Sequence, residues 1–134
     1  MRYRTFPTTA DMGVVIYGAD EKELFENAAY AFRRIVAGDR CIKPKEKREV
    51  ELEFSGYEMG LFMWMSELLY LYDSSLFLPA RVHIQQLSEN GLKAILEGER
   101  KEFRPKVYIK AVTMHNLKIE KGKKGLKARM ILDL

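Results

Sequence analysis

Hydrophobic and polar positions change their period several times along the chain, and each change marks an element. Val14-Val15-Ile16-Tyr17, bounded by Gly13 and Gly18, is a β-branched and aromatic run that predicts a short strand. Asp20 then stands three residues before Glu23, a D-x-x-E form of the capping box. Leu24, Ala28, Phe32 and Ile35 follow at helical spacing until Gly38, which predicts a helix over 21–37. The stretch 43–48 carries both charge signs and Pro44, and reads as a solvated connection. Val50, Leu52 and Phe54 then alternate with Glu49, Glu51 and Glu53, the period of a strand with one buried and one wet face.

Ser55 and Glu58 repeat the capping spacing ahead of Leu61-Phe62-Met63-Trp64-Met65 and Leu68-Leu69-Tyr70-Leu71-Tyr72. A helix this apolar around its circumference is buried on most sides, and Ser74-Ser75 suggest its end. The remainder reads as strands. Val82, Ile84 and Leu87 fall in 80–87, and Asn90-Gly91 is a tight-turn signal. Leu92, Ala94 and Leu96 alternate with polar neighbours, and 107–120 is β-rich. Gly122 to Gly125 reads as a hairpin loop before the alternation of Leu126, Ala128, Met130 and Leu132. The order β-α-β-α-β-β-β-β predicts an α+β fold: a two-layer sandwich with two helices packed on one face of a mainly antiparallel β-sheet.

At 134 residues the chain fits one domain, taken as 1–134. The 23 Lys+Arg against 19 Asp+Glu leave a charge of +4, which permits an acidic partner without requiring one. A single cysteine, Cys41, excludes an intramolecular disulfide and a multi-thiolate zinc site, and two histidines, His83 and His115, exclude a multi-His site within one chain. No run of about 18 apolar residues spans a membrane. The N-terminus lacks the apolar stretch of a signal peptide, so a cytoplasmic location is expected. No nucleophile–base signature, Walker loop or H-E-x-x-H motif is present, and the chain is not expected to be an enzyme. Both histidines, Cys41 and the Trp64 neighbourhood read as structural. Lys118, Lys121, Lys123, Lys124 and Lys127 read as a solvated hairpin, with direct RNA binding weak or absent.

Asp11 and Asp133 break local rules. Asp11 lies in Thr8-Thr9-Ala10-Asp11-Met12-Gly13, just ahead of a strand, where a local Asx-type bond is the plain reading. Asp133 follows the apolar run Met130-Ile131-Leu132 and precedes Leu134, the last residue. If the last strand is paired, its carboxylates are held in place and call for lysines and arginines or for a hard cation. Oxygen-only ligands favour Ca²⁺ or Mg²⁺ over zinc.

The same residues carry a family resemblance. The chain resembles archease, a family of small proteins that assist the RtcB-type RNA ligase, through four segments in order. These are Thr9-Ala10-Asp11-Met12-Gly13 with Gly18, then Trp64 to Asp73, then Ile109-Lys110-Ala111-Val112-Thr113-Met114-His115, and finally Arg129-Met130-Ile131-Leu132-Asp133-Leu134. The resemblance implies a metal site at Asp11, Asp133 and a main-chain or terminal oxygen of Leu134, with Lys110 as a further functional contact. It implies a divalent cation, calcium foremost and Mg²⁺ or Mn²⁺ as alternatives. The implied activity is promotion of ligase guanylylation and multiple turnover in tRNA splicing and RNA repair. The alternative is a chaperone-like binding module for an RNA-modifying enzyme such as a tRNA methyltransferase. Thr8 stands where family members commonly carry histidine, and Met114 where they often carry tyrosine.

Overall fold

A computed structural model describes residues 1–134. In chain order the elements are β1 (Tyr3–Pro7), β2 (Asp11–Gly18), α1 (Glu21–Ala37), β3 (Glu46–Glu53), α2 (Tyr57–Ser75), β4 (Phe77–Ser88), β5 (Gly91–Arg100), β6 (Ala111–Gly122) and β7 (Gly125–Asp133). The α+β class with two helices packed on antiparallel strands is as the pattern predicts. The strands, however, form two sheets: a four-stranded one in the order β1-β2-β7-β6 and a three-stranded one in the order β3-β5-β4. Both helices contact strands of both sheets, so the helices are shared by the two rather than laid on one. The inward residues of all these layers make one continuous core.

Helix α1 starts where its signal lies. Asp20 Oδ1 accepts the Glu23 N–H at 2.8 Å, and Glu23 Oε1 accepts the Ala19 N–H at 3.0 Å. Gly38, at φ 63°, donates its N–H to the Arg34 carbonyl, closing the helix in a conformation that favours glycine. Helix α2 departs from expectation at its start. Its N-cap is Gly56 and no side chain caps it; Glu58 instead accepts the Ile119 N–H of β6 at 2.9 Å. The apolar centre of α2 is core as predicted: Trp64 has no exposed surface, and its indole N–H donates to the Phe25 carbonyl of α1 at 2.9 Å.

Three further segments differ from the sequence reading. Strand β3 begins at Glu46, inside the stretch read as a connection, because Glu46–Arg48 pair with Leu96–Gly98 of β5. Residues 107–110 precede β6 rather than opening it. They run as irregular chain, tied at Lys110 by its N–H to the Asp133 carbonyl and just before them by the Lys106 N–H to the Val36 carbonyl. Strand β1 has no counterpart in the sequence reading. Its aromatic residues, Tyr3 and Phe6, are three apart and so face opposite sides of the sheet, leaving no period of two to detect. Tyr3 turns inward against Tyr30 of α1, with ring centroids 6.1 Å apart, while Phe6 turns outward.

Candidate functional site: a carboxylate pair at one end of the four-stranded sheet

The inward face of β2 carries Val14 and Ile16, and that of β7 carries Ala128, Met130 and Leu132. Alternation therefore places Asp11 and Asp133 on the outward face. They are direct Cα partners in the antiparallel β2–β7 pairing, and Asp133 is also the partner of Ala111 on β6. Side chains of directly opposed residues have Cβ atoms about 4.5–5.5 Å apart on the same face. The two residues singled out in the sequence, 122 positions apart, are thus brought side by side by sheet register alone. Leu134 follows directly, and all three are half-buried. Lys110 is brought there too, through its backbone: its N–H donates to the Asp133 carbonyl at 2.8 Å, while its side chain is exposed.

The approach to Asp11 is constrained. Thr8, Thr9 and Ala10 link β1 to β2, and Ala10 takes φ 65°, a left-handed conformation that costs a residue with a Cβ about 1–2 kcal/mol. The Thr8 N–H points to the Asp11 carbonyl at 3.4 Å. Next to the carboxylates on the same face lies the row Phe6, Gly13, Ile131 and Thr113, each the Cα partner of its neighbour. The tip of the Phe6 ring lies over Gly13, where a Cβ would overlap the ring. Only glycine leaves room for it, so the aromatic cover beside the carboxylates depends on Gly13.

Neither Asp11 nor Asp133 enters an ion pair, and neither side chain accepts a protein hydrogen bond. Two adjacent carboxylates without an ion-pair partner suit a hard cation. No third His, Cys, Asp or Glu side chain joins them. A bound ion would therefore draw on two carboxylates, a main-chain oxygen at Leu134 and water, an all-oxygen set that fits Ca²⁺ or Mg²⁺ and not zinc.

Other chemistry-bearing residues are accounted for elsewhere. His83 Nε2 lies 2.6 Å from Glu97 Oε1, a contact that, with Arg81 and Lys47 nearby, holds the Glu97 carboxyl below its ordinary range. Buried Glu99 accepts the Lys43 N–H at 2.7 Å and lies 3.4 Å from Lys45 Nζ, which lowers its pKa in the same direction. Lys43 through its backbone N–H and Lys45 through its ammonium thus serve Glu99. Burial raises the Asp73 carboxyl. His115 is exposed in an irregular part of β6, between Thr113 and Lys118, where Asn116 takes φ 56°.

The fold and site together define a class: a small α+β protein whose outward sheet face ends in paired carboxylates. Residues 3–134 match the model of the Archease protein family, and the chain belongs to that family. It is 35% identical over 137 residues to the protein archease of Archaeoglobus fulgidus, an alignment covering 100% of each chain. It is 38% identical over 127 residues to that of Thermococcus gammatolerans, covering 90% of this chain and 89% of the relative. Among solved structures, protein 1598 of Methanobacterium thermoautotrophicum superposes with a TM-score of 0.81 at 32% identity over 99% of both chains. A Thermotoga maritima archease, described as a possible chaperone, shares the fold with a TM-score of 0.71 at 24% identity, covering 98% of this chain and 96% of that one. No helix of this chain is long and apolar enough to cross a membrane.

Proposed function

We propose that this protein activates an RtcB-type RNA ligase, promoting its guanylylation and multiple turnover in tRNA splicing and RNA repair. The observation that carries the reading is the register match of Asp11 with Asp133 at the exposed end of a sheet. Family membership supports the choice of partner through the resemblance set out above. In this reading the sheet end enters the ligase cleft. Asp11 and Asp133 hold a divalent cation, with calcium foremost, completed by the main-chain oxygen of Leu134. The ion supplies positive charge beside the nucleotide phosphates. The chain's own residues do the positioning: paired strands fix both carboxylates before docking, and Lys110 anchors the neighbouring strand at Asp133 through its N–H. Preorganised charge of this kind costs no rearrangement when the complex forms.

The test is an RNA ligation time course with limiting ligase, GTP and Mn²⁺, with and without this protein and its Asp133→Ala variant. Multiple turnovers that require the wild-type protein and fail with a folded Asp133→Ala variant are the expected result. No stimulation by folded wild-type protein sinks the reading. In that event, suppression of aggregation of a tRNA methyltransferase, insensitive to chelator, would support the chaperone-like alternative.

A further inference from the structure

The outward face of the four-stranded sheet breaks the rule of cross-strand charge pairing a second time, away from the carboxylates. Arg4, Val15, Arg129 and Lys118 are successive Cα partners across β1, β2, β7 and β6, so they form one row on that face. Arg129 and Lys118, both cations, stand directly opposite each other, an arrangement that destabilises a sheet. Two residues along β7, Lys127 lies on the same face between Tyr17 and Glu120. Arg4, Lys127 and Arg129 enter no ion pair. Both guanidinium groups are steadied by neutral partners. Arg4 Nε donates to the Tyr17 hydroxyl at 3.1 Å, and the Arg129 guanidinium sits 4.5 Å from the Phe6 ring centroid. Two acids share the lining with these cations: Glu120 lies 3.6 Å from Lys118, and Glu58 accepts the Ile119 N–H. Arg4, Lys118, Lys127 and Arg129 line a shallow groove of about 660 Å³.

We propose that this groove binds the phosphate backbone of a single nucleic-acid strand lying along β7. Guanidinium groups present a planar fork that matches phosphate oxygens, and groups already held in place lose less freedom on binding. The rows of Arg129 and Lys127 are roughly 7 Å apart along the strand, so the three unpaired cations Arg4, Arg129 and Lys127 can each meet a different phosphate. In the other direction Asp133 is four residues from Arg129 on the same face, roughly 14 Å away, and its charge repels phosphate. The face is therefore polar along β7, with a backbone-binding half and a carboxylate half. Of the five lysines read in the sequence as a solvated hairpin, Lys118 and Lys127 belong to the groove, while Lys123 and Lys124 at the turn lie outside it. The two residues that build it, Arg4 and Arg129, are 125 positions apart and are joined only by register.

The proposal goes beyond ligase activation and is tested without ligase or divalent cation, so its failure is separate from the failure of that reading. The probe is a fluorescein-labelled ten-nucleotide single-stranded RNA followed by fluorescence anisotropy in 50 mM salt. Wild-type binding is expected to weaken with salt at a log–log slope of about −2, the value for three phosphates neutralised on a single strand. Arg4→Gln/Arg129→Gln, checked for folding by circular dichroism, is expected to lower affinity at least tenfold and to reduce the slope by about 1.4. Lys123→Gln is expected to change affinity less than twofold. Absence of binding by the wild-type protein, or an equal loss from Lys123→Gln, overturns the proposal. A ten-base-pair duplex that binds as tightly as the single strand overturns its assignment to one strand.

Discussion

Asp11 and Asp133 are direct cross-strand partners, two like charges opposed on one sheet face with neither held in an ion pair. Opposed like charges destabilise a sheet, so a neutral isostere at either position should leave the metal-free protein at least as stable. Calcium should raise the thermal midpoint of the wild type, since a ligand at a hundred times its Kd adds about 2.7 kcal/mol to the folded state. In Asp11→Asn and Asp133→Asn the calcium-dependent rise should be lost. Differential scanning fluorimetry with calcium and with chelator measures both effects, and an undiminished rise in both variants would remove the carboxylates from the site.

Gly13 and Phe6 form a second coupled pair. A methyl group at Gly13 would occupy the position of the Phe6 ring, which is free to swing away because it is half-exposed on an edge strand. Gly13→Ala should therefore cost about 1 kcal/mol, at the low end for overpacking, chiefly through loss of the ring's contacts. In a Phe6→Ala background the same change should cost almost nothing. A double-mutant cycle by urea denaturation reads the coupling directly. Additive effects would show that the ring and the glycine do not share this space.

What could be read in the sequence was local. The alternation around Val50, the capping pair Asp20 and Glu23 and the turn signal Asn90-Gly91 each depend on neighbours a few residues away; the first two are found as read, and the turn is found one residue earlier, at Glu89 and Asn90, with Gly91 already paired to Ser88. Asp11 and Asp133 stood out as rule-breaking residues, but their pairing is a register between chain ends that no local pattern encodes. Strand β1 was invisible because Tyr3 and Phe6 serve opposite faces. The division into two sheets follows from long-range contacts of α1 and α2 with both, which periodicity does not carry. Glu58 misled for a related reason. Its spacing from Ser55 suits a cap, yet it reaches instead a backbone N–H 61 residues away. Arg129 gave no signal, since one arginine in an alternating strand is ordinary until Arg4 and Lys118 are set beside it.

Trp64 ties the two helices together through a buried indole N–H on the Phe25 carbonyl. Trp64→Phe removes that hydrogen bond, worth about 1 kcal/mol, and leaves unfilled volume in a packed core. The expected loss is about 2–3 kcal/mol with the fold retained. Since Trp64 is the only tryptophan, the variant has to be followed by circular dichroism in denaturant. A loss below 0.5 kcal/mol, an order-of-magnitude threshold for a surface substitution, would mean that the indole N–H contributes little.

Acid should act on this protein through Glu99 and Glu97. The Glu99 carboxyl is held below its ordinary value of 4.5 chiefly by the Lys43 N–H, with Lys45 and Lys101 adding to it; His83 does the same for Glu97. A carboxylate whose pKa is lower folded than unfolded binds fewer protons in the folded state, so it stabilises the fold at pH above the unfolded value. That contribution is lost as pH falls from about 4.5 through the depressed folded values. Stability from these two groups should thus be flat from neutral pH down to about 5 and fall below it. Glu99→Gln keeps an oxygen to accept the Lys43 N–H but carries no charge to titrate. It should be less stable than wild type at pH 7, and the gap should narrow toward pH 3. Urea midpoints across that range test this, and a gap that stays constant with pH would show that Glu99 contributes by packing rather than by its charge.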